Sequence, residues 1–167
     1  MREVIYDNET EMTVLGIMMD EEVMVPTIMA IVEPEMFWDK AHQLVYESIC
    51  NVYEDKGVSD VKLVRNDLER RGHLNRLPEG QMYLYDMLNL AIDPKNAEYY
   101  CNILRENYQR RQMVKISRQM EEKAYDLNAD VEGIISDMQK QTTGLTVKSD
   151  SLPYLPEVVE NRSDHLL

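Results

Sequence analysis

Residues 93–126 read DPKNAEYYCNILRENYQRRQMVKISRQMEEKAYD, and from Lys95 to Glu132 the chain has neither glycine nor proline. Asp93 is a good N-cap and Pro94 suits the first helical position. Apolar or small residues recur at helical spacing through Ala97, Tyr100, Cys101, Leu104, Tyr108, Ile116, Met120, Ala124 and Leu127. A helix of about 30 residues is about 45 Å long, more than a small domain needs to close its own core. A polar turn at 126–130 and a second apolar series at Val131, Ile134, Ile135 and Met138 predict an antiparallel hairpin whose shorter arm ends near Gly144. The uncovered length of the long arm needs another surface, and a second copy of the chain is the simplest source. Tyr100, Leu104, Arg111 and Met120 on one arm, with Ile134, Ile135 and Met138 on the other, are the candidate self-association residues.

Working back toward the N-terminus, nearly everything before residue 144 reads as helix, and the fold class is all-α. Asn8 and Glu11 suggest a capping box, followed by one apolar face of Met12, Leu15, Met18 and Met19. Gly16 inside that helix implies a close helix–helix approach. A second helical segment spans 21–32, with Pro26 near its first turn. Phe37 and Trp38, the only Phe and the only Trp, are expected to plug the core between helices. A third helix runs from about Lys40 to Lys56, with Leu44, Val45, Ile49, Val52 and Tyr53 inward, and Gly57 stops it. Ser59-Asp60 caps a fourth, with Val61, Val64 and Leu68 on one face and a stop at Arg71-Gly72. The fifth follows Pro78 with Tyr83, Leu84, Met87 and Leu88. The chain thus divides into a helical globule (1–92), a hairpin of the same domain (93–143), and a linker with the start of a terminal helix (144–167). Pro153, Pro156, Ser149 and Ser151 mark the linker, and Glu157–Leu167 marks the terminal helix.

Charge narrows the function classes. The 167 residues carry a net −13. Residues 1–60 hold 14 acids and 3 bases, residues 61–125 hold 9 acids and 12 bases, and residues 126–167 hold 8 acids and 3 bases. Both acidic ends repel a phosphate backbone. Only the middle could meet nucleic acid, and there Arg105, Arg110, Lys115 and Arg118 on the long helix are the candidates for contact with an acidic partner or DNA. Tyr108 alone interleaves them, which is poor support for single-strand stacking.

Catalytic chemistry has little to stand on. There is no G-x-x-x-x-G-K-[ST] phosphate loop, no G-x-G-x-x-G, no H-E-x-x-H and no cysteine pair at metal spacing. His42, His73 and His165 are far apart in sequence, and His42 reads as a surface or packing residue. Cys50 and Cys101 read as buried thiols. No catalytic, cofactor or metal residue is assigned. The apolar runs are too short to span a membrane, the N-terminus lacks a signal-peptide pattern, and a cytoplasmic location is expected.

Four blocks, in order across about residues 8–140, carry a family resemblance. Glu9-Thr-Glu11 followed by Val14-Leu15-Gly16 looks like an E-x-E-x-x-VLG opening. Pro34-Glu35-Met36-Phe37, with His42 and Tyr46 beyond it, looks like P-E-D-F…H-R-x-I-F. Val58-Ser59-Asp60 followed by Leu68-Glu69-Arg70-Arg71-Gly72 looks like P-V-D…L-x-x-x-G. Asn96-Ala97-Glu98-Tyr99-Tyr100 and then Arg110-Arg111 look like N-A-x-x-Y-A…R-R. The chain resembles the N-terminal domain of the DnaB-type replicative hexameric helicase. It departs from the family pattern where Glu79-Gly80-Gln81-Met82, not a paired glycine, precedes Tyr83-Leu84, and at Ser59 and Val25-Pro26, which suggests a divergent, phage-like branch.

The resemblance implies a helical globule with a hairpin that pairs with its copy, three pairs forming a collar above a motor ring. It implies self-association as a dimer or as a hexamer built from three dimers, docking of the primase C-terminal domain, and in some systems of a helicase loader. ATP and Mg are expected only in a motor domain absent from this chain, and DNA contact only through a full-length parent. Two other readings remain open: a free-standing phage modulator that binds host primase or helicase, and a small helical nucleic-acid-binding protein.

Overall fold

The structure, a computed structural model, describes residues 2–150, with side chains through Leu145. No strand occurs among the described residues. Among the described residues seven helices follow in order: α1 Asn8–Asp20, α2 Val25–Ile31, α3 Lys40–Lys56, α4 Val61–Arg70, α5 Met82–Asn89, α6 Ala97–Tyr125 and α7 Val131–Asp150. Short 3-10 turns precede α2, α3 and α6 and follow α4. The chain forms two compact units, one ending at Tyr108 and the other beginning at Gln109.

In the first unit α1 is the central element. Every residue from Thr10 to Met19 is buried, so the single apolar face expected from Met12, Leu15, Met18 and Met19 is in fact a helix covered on all sides. Gly16 is what permits this. A Cβ there would lie 2.0 Å from the Met87 carbonyl oxygen, so only glycine lets α1 and α5 pass backbone to backbone. The close approach expected from Gly16 is present, and α5 is its cause. At the far end of α1, Ser59 donates its hydroxyl to the Met18 carbonyl. Ser59 is therefore a buried tie to α1, while Asp60 alone caps α4 through the Lys62 amide at 2.7 Å.

The α3–α4 pair is fastened by Asp67, which is 3% exposed. Burial pushes its carboxyl up, but the Ser48 hydroxyl at 2.7 Å and the Arg71 and Arg70 guanidinium groups outweigh it and hold the carboxyl below its ordinary value. Gly57 ends α3 at φ 71° and Gly72 follows α4 at φ 75°, both left-handed, as expected of the two stops. Val45, Ile49 and Val52 face the core, while Leu44 and Tyr53 are only half-buried. Cys101 is buried and Cys50 half-buried; burial pushes the two thiols up to about 12 and about 11, so both stay protonated at neutral pH.

Three expectations need correction. The N-cap of α1 is Asp7, whose side chain accepts the Thr10 amide, and not Asn8. Phe37 is buried at 1% exposure and plugs the core against Tyr46, but Trp38 is 46% exposed. Helix α7 passes Gly144 and runs to Asp150, so residues 145–150, expected in the linker, are helical. The remaining linker and the terminal helix expected over Glu157–Leu167 lie outside the described residues.

The second unit is an antiparallel hairpin of the end of α6 with α7. Lys123 pairs with Asp137 at 2.8 Å, and Met120, one turn earlier, shares a groove with Met138 and Thr142. Stepping back along α6 thus steps forward along α7. Asp126 accepts the Asn128 amide in the turn, and Asp130 accepts the Gly133 amide at the start of α7.

Gly16→Ala is expected to lower the unfolding free energy by about 1–3 kcal/mol, since the methyl meets backbone and not a movable side chain. Gly144→Ala, with open space around the new methyl, is expected to be neutral or to stabilise by up to about 1 kcal/mol. Urea unfolding followed by helix ellipticity measures both.

Candidate functional site

Two places in the structure hold residues arranged beyond what local packing requires. The first is the hairpin face. Met120 is 44% and Ile135 46% exposed, and with the buried Met138 they border a groove of about 320 Å³. Met113, Val114 and Val131 are also exposed, at 56%, 40% and 67%. Ile134 and Arg111 are half-buried. So of the candidate self-association residues, Met120, Ile135 and Met138 come together in the second unit. Leu104 instead lies within the first unit at 2% exposure, and Tyr100 is half-buried there. Leu104 is a core residue of the globule, because the first turns of α6 bury Ala97, Cys101 and Leu104.

The basic candidates are not alike. Arg110, Lys115 and Arg118 are exposed. Arg105 is half-buried, with one guanidinium nitrogen shut off from solvent and without a hydrogen-bond partner, as is the Asn102 amide oxygen one turn earlier. No cluster of three or more His, Cys, Asp or Glu that could hold a metal ion occurs among the described residues.

The second place was not expected from the sequence. Glu11, 2% exposed, does not close a capping box. Its carboxylate turns across to the start of α3 and accepts the Trp38 amide at 2.8 Å and the Asp39 amide at 3.3 Å. There it sits at the positive end of the α3 dipole. It also meets His42 Nδ1 at 2.6 Å, and His42 Nε2 meets the Tyr83 hydroxyl at 2.6 Å with the two rings stacked 12° apart. A carboxylate only accepts, so the Nδ1 proton resides on His42. With neutral imidazole, Tyr83 donates to Nε2. Burial, followed by the Asp39 and Glu11 carboxylates, pushes the Tyr83 hydroxyl up to about 12.

His42 is thus a fully buried packing residue with both nitrogens bonded, and the surface alternative is excluded. A signal was present in the sequence: His42 precedes Val45, Tyr46 and Ile49 at helical spacing, which places it on the inward stripe of α3. The partner, Glu11, could not be read from spacing.

Glu11→Ala is expected to cost about 3–5 kcal/mol, because it strands two amides and an imidazole. Glu11→Gln keeps one acceptor oxygen and should cost less. Because the Tyr83 pKa is raised from 10 to about 12 in the folded protein, its contribution is complete below pH 10 and is lost as pH climbs toward 12. Tyr83→Phe should flatten the alkaline limb of stability against pH, read by urea unfolding from pH 8 to 12.

Residues 3–106 match the profile of the DnaB-like helicase N terminal domain family. The replicative DNA helicase DnaB of Rhodothermus marinus is 29% identical over 133 residues, covering 80% of this chain and 14% of its own length. That of Leifsonia xyli subsp. xyli is 26% identical over 151 residues, covering 90% of this chain and 33% of its own length. The chain therefore spans a third or less of these relatives. Among solved structures, the N-terminal domain of DnaB helicase from Mycobacterium tuberculosis superposes with a TM-score of 0.78 at 27% identity, over 85% of this chain and 99% of that one. With the profile match covering well over half of the sequence and the helical fold agreeing, this chain belongs to the DnaB-like helicase N-terminal domain family.

Proposed function

We propose that this chain is the assembly and partner-docking part of a replicative DNA helicase, supporting hexamer formation and offering a surface to primase or a loader, without motor activity of its own. The observation that carries the reading is the apolar groove of the hairpin bordered by the exposed Met120 and Ile135, with Met113, Val114 and Val131 also exposed on its two helices. Apolar surface of this kind on a soluble domain is the mark of an interface. Family membership supports a second copy of the same hairpin as the occupant. In this reading ATP and Mg belong to a motor domain of a parent helicase, which also supplies the DNA contact, and the protein works in the cytoplasm of a bacterium or an infected host. No helix among the described residues is long and apolar enough to cross a membrane.

Light-scattering mass over a wide concentration range tests the reading. Dimers or larger assemblies are expected, with Met120→Asp and Ile135→Asp each weakening association by at least about tenfold at unchanged helix content. A mass fixed at the monomer across the range would refute the assignment of this face to self-association.

A further inference from the structure

The segment before α1 runs alongside Trp38 and leaves a second exposed surface. Val4, Tyr6 and Trp38 are 46%, 40% and 46% exposed, and the Tyr6 and Trp38 rings stand 6.2 Å apart at 45°. Together with Glu3, Asp7 and Glu9 they border a groove of about 670 Å³. Among the described residues no basic side chain borders it, and it lies in the part of the chain where 14 acids face 3 bases. Its aromatic wall is also held firmly, since the Trp38 amide is gripped by the buried Glu11 carboxylate.

We infer that this groove binds a lysine- or arginine-bearing segment of a partner protein. Two electron-rich rings attract a cation over their faces. The carboxylates of Glu3, Asp7 and Glu9 add charge complementarity, and Val4 offers an apolar surface to the long aliphatic stem of such a side chain. The same charges exclude the other ligand of flat aromatic surfaces, a nucleic-acid strand, whose phosphates they repel. Glu11 acts here as a positioning residue, through Trp38. The inference rests on the docking half of the proposed function and gives it a location and a partner chemistry.

Trp38 is the only tryptophan, so its emission reports on the groove alone. The probe is an acetylated, amidated peptide alternating arginine, leucine and lysine, titrated at low salt against the whole chain, with a counterpart in which every basic residue is glutamate. The expected result is a saturable emission change with the basic peptide and none with the acidic one. Tyr6→Ala should weaken binding by about tenfold, the order of one lost cation–π contact, and separately the pair Glu3→Gln and Glu9→Gln should weaken it by about tenfold through lost charge complementarity, both at unchanged thermal melting. No saturable change, an equal response to the acidic peptide, unchanged affinity in Tyr6→Ala, or displacement by oligothymidylate would each overturn the inference. Scattering mass on the same samples keeps the two readings apart. Assembly without titration overturns the groove alone, whereas a monomer that titrates supports the groove and counts against the hairpin face.

Discussion

The buried carboxylate of Glu11 is the constraint around which the globule is organised. A charge at 2% exposure is tolerable only when its surroundings replace water. Here they do so from another helix: two amides at the start of α3 and the imidazole of His42 converge on it. The order of assembly follows. α1 cannot be buried unless α3 begins where it does, and α3 cannot begin there unless Trp38 and Asp39 present their amides inward. Tyr83 closes the chain from α5 through His42. At the middle of the same helix, the Gly16 contact with the Met87 carbonyl brings α1 and α5 together along their backbones. One helix is thus fastened electrostatically near one end and sterically at its centre.

This economy has a functional side. The aromatic connection between α2 and α3 is held by its backbone, and its two rings meet different surroundings. Phe37 turns into the core against Tyr46, and Trp38 stays half-exposed beside Tyr6. The hairpin shows the opposite arrangement. Its joining ion pair, Lys123 with Asp137, is half-exposed on both sides and contributes little. Among the described residues few of its apolar side chains are covered, Met138 being the buried one. In the proposed reading a copy of the hairpin completes this unit, while the globule, with Glu11, His42 and Tyr83 bonded to one another, holds a fixed surface.

Much of the fold was legible because it rests on local chemistry. Gly57 and Gly72 take the left-handed conformation that a stop requires, Asp60 and Asp93 cap as such residues do, and 29 residues without a breaker form α6. Gly16 was legible as a close approach but not as to which helix approaches. The misreadings share one cause. Glu11 at three residues from Asn8 satisfies the pattern of a capping box, yet its partners are 27 to 31 residues away. Leu104 has the spacing of an interface residue, yet the beginning of α6 is buried with the globule. Trp38 beside Phe37 looks like a second core ring, and nothing local says that it is not.

The sequence by itself determined the all-helical class, the order and approximate limits of the helices, the absence of a phosphate loop, and, through four blocks of residues, the family. These depend on periodicity, on φ preferences and on composition, all of which act over a few residues. Only the tertiary structure decided which polar groups are buried and by what they are matched, which of two adjacent aromatic rings meets water, and which apolar residues of the long helix remain uncovered. Those outcomes depend on groups that are distant in the chain and adjacent in space, where burial makes an unmatched charge costly and leaves a half-covered ring available.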